Sequence, residues 1–320
     1  MIVSGAGMSI SEGTNLYGSP QDFQNHYPAL LKHGYHTAYE CIGLSRDPSI
    51  PITLRWGYLV QHTYNMRYRY DPHQRYYHLL NILKDKNYFV LTSNIDGCFE
   101  RAGFDVNRLY TPQGDFSNYQ CSNAKQCTRE TYPSKPFVDA LLPKIKDSSL
   151  EDVADIPKCT KCNKTLFANL RGGDWFIHDA YLAAQIRFES WVDQIINSLP
   201  SKPHDPSQVD YNSLLVVEIG AGWNTPIVTR YPAESIAREI PGAAFIRINP
   251  TDWQVPDDLV AAVELDEGAD VISSFLKDLD AFPEDTLEQS ERNLIQNRLT
   301  IKPHNRIPKV DWRQVLKSLR

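Results

Sequence analysis

Apolar runs that stop abruptly at glycine or polar residues recur along this chain. Tyr88-Phe89-Val90-Leu91-Thr92 ends at Ser93-Asn94-Ile95-Asp96-Gly97, and Leu109-Tyr110-Thr111 leads into Pro112-Gln113-Gly114-Asp115-Phe116. Leu214-Leu215-Val216-Val217-Glu218-Ile219 ends at Gly220-Ala221-Gly222, and Ala244-Phe245-Ile246-Arg247-Ile248-Asn249 repeats the pattern after a predicted helix from Ala233 to Ile240. Runs of this length, apolar on both faces, are the mark of buried parallel strands. Alternation of strands with helices predicts an α/β fold with a Rossmann-type parallel sheet. Ile2-Val3-Ser4 passes straight into Gly5-Ala6-Gly7-Met8-Ser9. That first strand has almost no length and no upstream helix, which suggests either a late start codon or a fold that does without the preceding element.

Helical spacing appears at Trp56, Leu59 and Val60, and again at Tyr76, Leu79, Leu80 and Leu83, so the stretch 17–85 reads as a helical insertion. Two close cysteine pairs bracket a polar insertion over 118–170. The sheet domain is then made of 1–16, 86–117 and 171–279. A charged, proline-punctuated tail over 280–320 packs on the surface or stays partly mobile.

Composition narrows the class. With 33 basic and 39 acidic residues the net charge is -6, and no run of like charge marks a nucleic-acid or membrane footprint. No apolar stretch approaches the roughly 20 residues of a spanning helix, and no signal-like start is visible, so a cytoplasmic protein is expected. Tyr64-Asn65-Met66-Arg67-Tyr68-Arg69-Tyr70 mixes basic and aromatic residues as a single-strand groove does, but a partly exposed helix face explains it better. His62, His73 and His78 lack ligand-spaced partners and read as satisfied core or surface residues.

Of six cysteines, Cys121 and Cys127 flank five residues and Cys159 and Cys162 flank two. Two such knuckles converging on a tetrahedral ion predict a structural zinc with no open coordination position. Cys41 and Cys98 are left over and read as small buried apolar residues. A glycine turn between strand and helix lets backbone N-H groups approach a phosphate, although Gly5-Ala6-Gly7 alone is weak evidence for a dinucleotide. Asn94, Asp96 and Gln113 follow strand ends, so a parallel sheet would turn all three toward one crevice. Asx-turn chemistry is the alternative for Asn94.

These pieces in this order resemble the sirtuin family. Gly5-Ala6-Gly7-Met8-Ser9 is similar to its opening nucleotide loop, and Thr92-Ser93-Asn94-Ile95-Asp96 to its Thr-Gln-Asn-Ile-Asp motif with serine in place of glutamine. Leu170-Arg171 follows the cysteine insertion where sirtuins carry Leu-Arg-Pro. Gly220-Ala221-Gly222, Asn249 and Gly268-Ala269-Asp270-Val271 fall where the family contacts the adenosine half of NAD. The resemblance implies NAD as co-substrate, held by Gly5, Ala6, Gly7, Ser9, Asn94, Asp96, Gln113, Gly220, Ala221, Gly222, Asn249 and Asp270.

Three departures carry functional information. Gly13-Thr14-Asn15-Leu16-Tyr17 replaces the family's Gly-Ile-Pro-Asp-Phe-Arg, and Gly172-Gly173-Asp174-Trp175-Phe176-Ile177-His178 replaces the segment that clamps an acyl-lysine peptide. Gln113-Gly114 stands where deacylating sirtuins have His-Gly, and a carboxamide is no general base. Glutamine at that place resembles the macrodomain-linked, or class M, sirtuins of microbes. The resemblance implies mono-ADP-ribosyl transfer to a carrier protein, notably a lipoylated relative of the glycine-cleavage H protein, and a macrodomain hydrolase as partner. It also implies Asn94, Gln113 and Arg171 as catalytic residues, though Arg171 has a structural ion pair as its alternative. Lysine deacylation with His178 as substitute base, and a non-catalytic NAD or ADP-ribose sensor, are the competing expectations.

Overall fold

The computed structural model describes residues 1–10, 20–199, 213–259, 262–266 and 268–272. The departure at Gly13–Tyr17 and the tail expected over 280–320 lie outside the described residues.

In chain order, β1 (Ile2–Ser4) is followed by the helices α1 (Pro20–His26), α2 (Pro28–Leu31), α3 (Ile52–Thr63) and α4 (Gln74–Leu83). Next come β2 (Val90–Thr92), α5 (Cys98–Arg101), β3 (Leu109–Tyr110), β4 (Gly114–Cys121), β5 (Thr131–Pro133) and α6 (Ser134–Leu141). A small hairpin of β6 (Ile145–Lys146) and β7 (Ser149–Leu150) precedes β8 (Leu166–Leu170) and the long α7 (Asp179–Ser198). The chain then runs through β9 (Leu214–Ile219), α8 (Arg230–Glu239), β10 (Ala243–Ile248) and β11 (Ala262–Leu265).

Six strands form the parallel sheet in the order β11-β10-β9-β1-β2-β3. β1 is only three residues long, yet it sits centrally and all of it is buried. Side chains alternate between faces, as a strand's two-residue period requires. Val3, Leu91, Val216 and Phe245 pack under Phe188, Trp191 and Ile195 of α7. Ile2, Val90, Ile219 and Ile248 meet Tyr76, Leu79 and Leu83 of α4 on the other face. The stretch read as one helical insertion therefore divides: α4 covers the sheet, while Phe23, Tyr27 and Leu30 form a separate core with Leu54 and Tyr58 of α3.

Across that sheet, Arg247 and Glu218 are register partners, joined by two short hydrogen bonds of 2.6 and 2.9 Å, with Glu234 of α8 at 2.7 Å. The fork-shaped guanidinium satisfies both carboxylates in a place water does not reach.

β4 pairs antiparallel with β5 and β8 to make the small cysteine-bearing sheet. Its first residue, Gly114, pairs with Leu170, the last of β8. The ribbon thus closes on the sheet domain at Gln113-Gly114. Neither α7 nor β11 is predicted above, although α7 carries a clear helical stripe in Tyr181, Phe188, Trp191 and Ile195.

Candidate active site

Strand order reverses between β1 and β9, since the chain builds outward to β3 and then returns to β9 on the other side of β1. Ligand crevices of open parallel sheets lie at such a switch point, beyond the carboxyl ends of the strands. A cavity of about 540 Å³ opens there. It is lined by Gly5, Ala6, Gly7 and Ser9 after β1, Asn94 and Asp96 after β2, Gln113 after β3, Gly220 and Gly222 after β9, and Asn249 after β10, with Arg171 at its edge.

Ala221 and Asp270 are not part of this lining. The Ala221 carbonyl accepts from Asn249 Nδ2 at 3.0 Å and from Arg230 at 3.2 Å. Asp270 pairs with Arg75 at 2.8 Å, and Arg75 in turn donates to the carbonyl of Ile10 at 3.0 Å. Through these contacts both residues are tied to loops that line the crevice.

The glycines serve contact between the two loops. A Cβ on Gly7 would lie 2.6 Å from the Gly220 Cα, and one on Gly5 the same distance from the Gly220 carbonyl oxygen. Gly220 itself has φ +60, a left-handed backbone that favours glycine. Gly5 and Gly7 donate their N-H groups to Ile219 and Gly220, both at 3.0 Å, so these amides tie the loops together.

Ser9 is the hub of the polar wall. Its hydroxyl donates to Asp96 Oδ2 at 2.5 Å, receives Asn94 Nδ2 at 3.0 Å, and lies 2.7 Å from the Tyr76 hydroxyl. Asp96 also accepts from the Cys98 amide at 2.8 Å. Asn94 is oriented from its backbone too, since its N-H donates to Thr92 Oγ1 and that hydroxyl donates to the Ser4 carbonyl. Asn94 and Asp96 are 7% and 4% exposed, so their rotamers are locked by packing as well.

Arg67 joins the second and third strand-end loops. α3 continues as one wide turn over Tyr64–Tyr68, and that turn drives Arg67 inward. Its guanidinium meets Asp115 at 2.8 Å and Glu100 at 2.7 Å, and it fills the space where a Cβ of Gly97 (φ +68) would be. Burial pushes the Asp115 carboxyl up, against the pull of Arg67. The basic-aromatic segment is thus half-exposed, but its central arginine belongs to the site's framework.

Gln113 is half-buried and contributes its backbone carbonyl to Arg171 N-H at 2.9 Å. The Arg171 guanidinium donates from Nε to Pro112 O at 2.9 Å, approaches His178 Nδ1 at 3.0 Å, and stacks over Phe176 at 4.6 Å. It makes no ion pair among the described residues. His178 is held by Gln185 at 2.7 Å and does not line the cavity.

The cavity is also lined by Tyr39, Arg55, Tyr58 and His62, none of them among the sequence-predicted site residues. Nothing in their spacing marks them. By contrast, Thr251 and Asp252 line the nucleotide side directly beyond a strand end, where the rule applied to Asn94 would have found them. Cys41 also faces the cavity, and burial pushes its thiol up to about 12, which makes it no nucleophile at neutral pH.

His62 is hydrogen bonded to the Tyr27 hydroxyl at 3.0 Å, and Asn65 Nδ2 donates to the same oxygen at 3.1 Å. Burial lowers its pKa to about 3, with His26 adding repulsion. An unfolded histidine takes up its proton near 6.5, so below that pH the unfolded chain binds more protons than the fold. The stability held above pH 6.5 is therefore lost as pH falls toward 3, by up to about 5 kcal/mol. Denaturation at stepped pH should show a shallower acid slope for His62→Gln; equal slopes would mean that His62 titrates as in the unfolded chain.

Cys121, Cys127, Cys159 and Cys162 bring their Sγ atoms within 4.8 Å of one another, Cys121 and Cys162 at 3.5 Å and Cys127 and Cys159 at 3.8 Å. Disulfides would need about 2.0 Å, whereas thiolates tetrahedral about zinc at ~2.3 Å stand about 3.8 Å apart. The donor set fits structural zinc, and the cluster lies apart from the cavity lining.

No protein-family model matches the chain. A solved Sir2 homologue in complex with NAD superposes with a TM-score of 0.54, covering 87% of this chain and 88% of that one at 16% identity. The fold is the sirtuin fold. Two curated proteins are similar to this sirtuin-fold chain in sequence. A "Probable bifunctional ADP-ribose hydrolase/ADP-ribosyltransferase" of Fusarium oxysporum f. sp. cubense is 30% identical over 274 residues, which are 84% of this chain and 42% of that protein. A "Protein ADP-ribosyltransferase" of Staphylococcus aureus is 24% identical over 258 residues, 80% of this chain and 75% of that protein. The chain thus spans under half the length of the fungal relative. Among the described residues, no helix is long and apolar enough to cross a membrane.

Proposed function

We propose that this sirtuin-fold chain is an NAD-dependent protein mono-ADP-ribosyltransferase. The observation that carries the proposal is the crevice wall around Asn94, where a neutral carboxamide, Gln113, faces the cavity in place of an ionisable base. Both curated relatives are named as ADP-ribosyltransferases, which supports the same activity here.

When bound, NAD supplies an electrophilic ribose carbon from which nicotinamide leaves. Asn94, held by Ser9 and by its own backbone, orients the sugar. Asp96 keeps a fixed carboxylate beside it. Gln113 cannot take up a proton at neutral pH, so its part is to position an acceptor by hydrogen bonds. Arg171, braced on Pro112, offers positive charge at the cavity edge to steer an acidic acceptor. Deacylation with His178 as base has little support, because that ring is engaged with Gln185 and Arg171 outside the cavity lining.

The resemblance to class M sirtuins suggests a lipoylated H-like carrier as acceptor. The bifunctional name of the fungal relative is in keeping with a hydrolase partner that reverses the mark. Labelled NAD with the lipoylated or unmodified carrier should mark the carrier, and Asn94→Ala should slow transfer by about 10²- to 10³-fold. Release of nicotinamide with no labelled protein would overturn the choice of acceptor. Turnover of an acetyl-lysine peptide without any protein labelling would overturn the transferase assignment itself.

A further inference from the structure

Beside the main crevice lies a second cavity of about 220 Å³. The two adjoin, since Ser45, Arg55, Leu59 and Phe167 line both. The second cavity is lined by two arginines, Arg46 and Arg55, and by three hydroxyl residues, Ser45, Ser122 and Thr165. No carboxylate lines it.

Neither arginine is in an ion pair among the described residues. Arg46 stacks over Trp175 at 4.7 Å and Phe167 at 5.8 Å. The acid whose field it feels, Asp174, is paired with Lys125 at 2.6 Å. Arg55 donates from Nη1 to the Ser45 carbonyl at 3.0 Å, while its Nε is shut off from solvent and has no hydrogen-bond partner. Asp47 lies near enough to feel Arg55, but its oxygens accept from Ser49 and Tyr35. A buried donor without an acceptor is rare in folded proteins and calls for a partner. Two guanidinium groups outside any ion pair, sharing one lining with three hydroxyl residues, match the multidentate acceptor set of an oxyanion.

We propose that Arg46 and Arg55 form an oxyanion site, distinct from the nucleotide loops, which takes a carboxylate or phosphate. Such a group arrives either as a free anion or at the tip of an apolar stem, for which Ile52, Trp56, Leu59, Leu166 and Phe167 line the same cavity. The site stands independently of the transferase assignment, because it is tested by binding without NAD.

The experiment is calorimetric titration of the full chain with inorganic phosphate, succinate, octanoate and octanamide, with tryptophan fluorescence as a second readout. Trp175 stacks on Arg46 and Trp56 lines the second cavity. Phosphate or succinate binding identifies a free-anion site. Binding of octanoate but not of phosphate or octanamide identifies a stem-borne carboxylate. In either case Arg55→Gln and Arg46→Gln should each weaken binding by about tenfold or more. Arg46 is exposed, so its substitution leaves the fold intact even if Arg55→Gln does not. Failure of all the anions to bind, or binding unchanged in Arg46→Gln, would overturn the proposal.

Discussion

Arg67→Ala is expected to destabilise the fold by about 3–5 kcal/mol, the usual cost of removing one member of a buried ion pair. The substitution strands Asp115, which is 6% exposed, and it opens a hole beneath Gly97 where the guanidinium now packs. Two strand-end loops, the one carrying Asn94 and Asp96 and the one carrying Gln113, lose their common strut. Urea denaturation would measure the loss. Adding Asp115→Asn should recover part of it, because the uncompensated charge goes too. Burial already pushes the Asp115 carboxyl up, and without Arg67 it rises further. A carboxyl whose folded pKa exceeds its unfolded value binds more protons in the fold, so the deficit of Arg67→Ala should shrink toward acid and grow toward neutral pH. Strictly additive single and double variants would show that Arg67 acts by packing alone.

Removal of zinc should be as damaging. Structural zinc contributes about 10–16 kcal/mol of apparent binding energy in isolated fingers at neutral pH. Here the ion would hold β4 and β8 at their cysteine ends. Chelation or Cys159→Ser is expected to release one zinc per chain, expose the cluster's thiols to alkylating reagents (four after chelation, three in the variant) and melt the small sheet. Because Gly114 pairs with Leu170 and Arg171 N-H holds the Gln113 carbonyl, the damage reaches the crevice wall. The proposed transferase activity should fall with zinc content. An apo protein with unchanged melting temperature and protected thiols would remove the metal from the account.

What was legible in the sequence follows from how much context each residue needed. β9 was readable because six consecutive residues are apolar or masked by a buried ion pair, and the cysteine cluster because tetrahedral thiolate sites constrain spacing. Asn94, Asp96 and Gln113 needed only the rule that strand ends face the ligand. Arg67 was not legible, since local composition grouped it with neighbouring tyrosines while its acid partners lie 33 and 48 residues away. α7 is marked only by its apolar stripe, since its N-cap residue His178 makes no side-chain capping hydrogen bond. Arg46 and Arg55 carry no pattern at all: they share a cavity lining with Ser122 and Thr165 only through tertiary folding.

The interlocked glycines at the crevice have a genetic consequence. When a side chain in a core becomes too large, a second mutation can often restore the fit by shrinking its neighbour. Gly7 and Gly220 face each other, each already the smallest residue the code provides, and at Gly5, Gly7 and Gly220 the atoms that would collide are main chain. A methyl added on one side leaves nothing on the other to trim. Selection for revertants of Gly7→Ala should therefore yield true reversion at codon 7, and compensating changes at codon 220 should be absent.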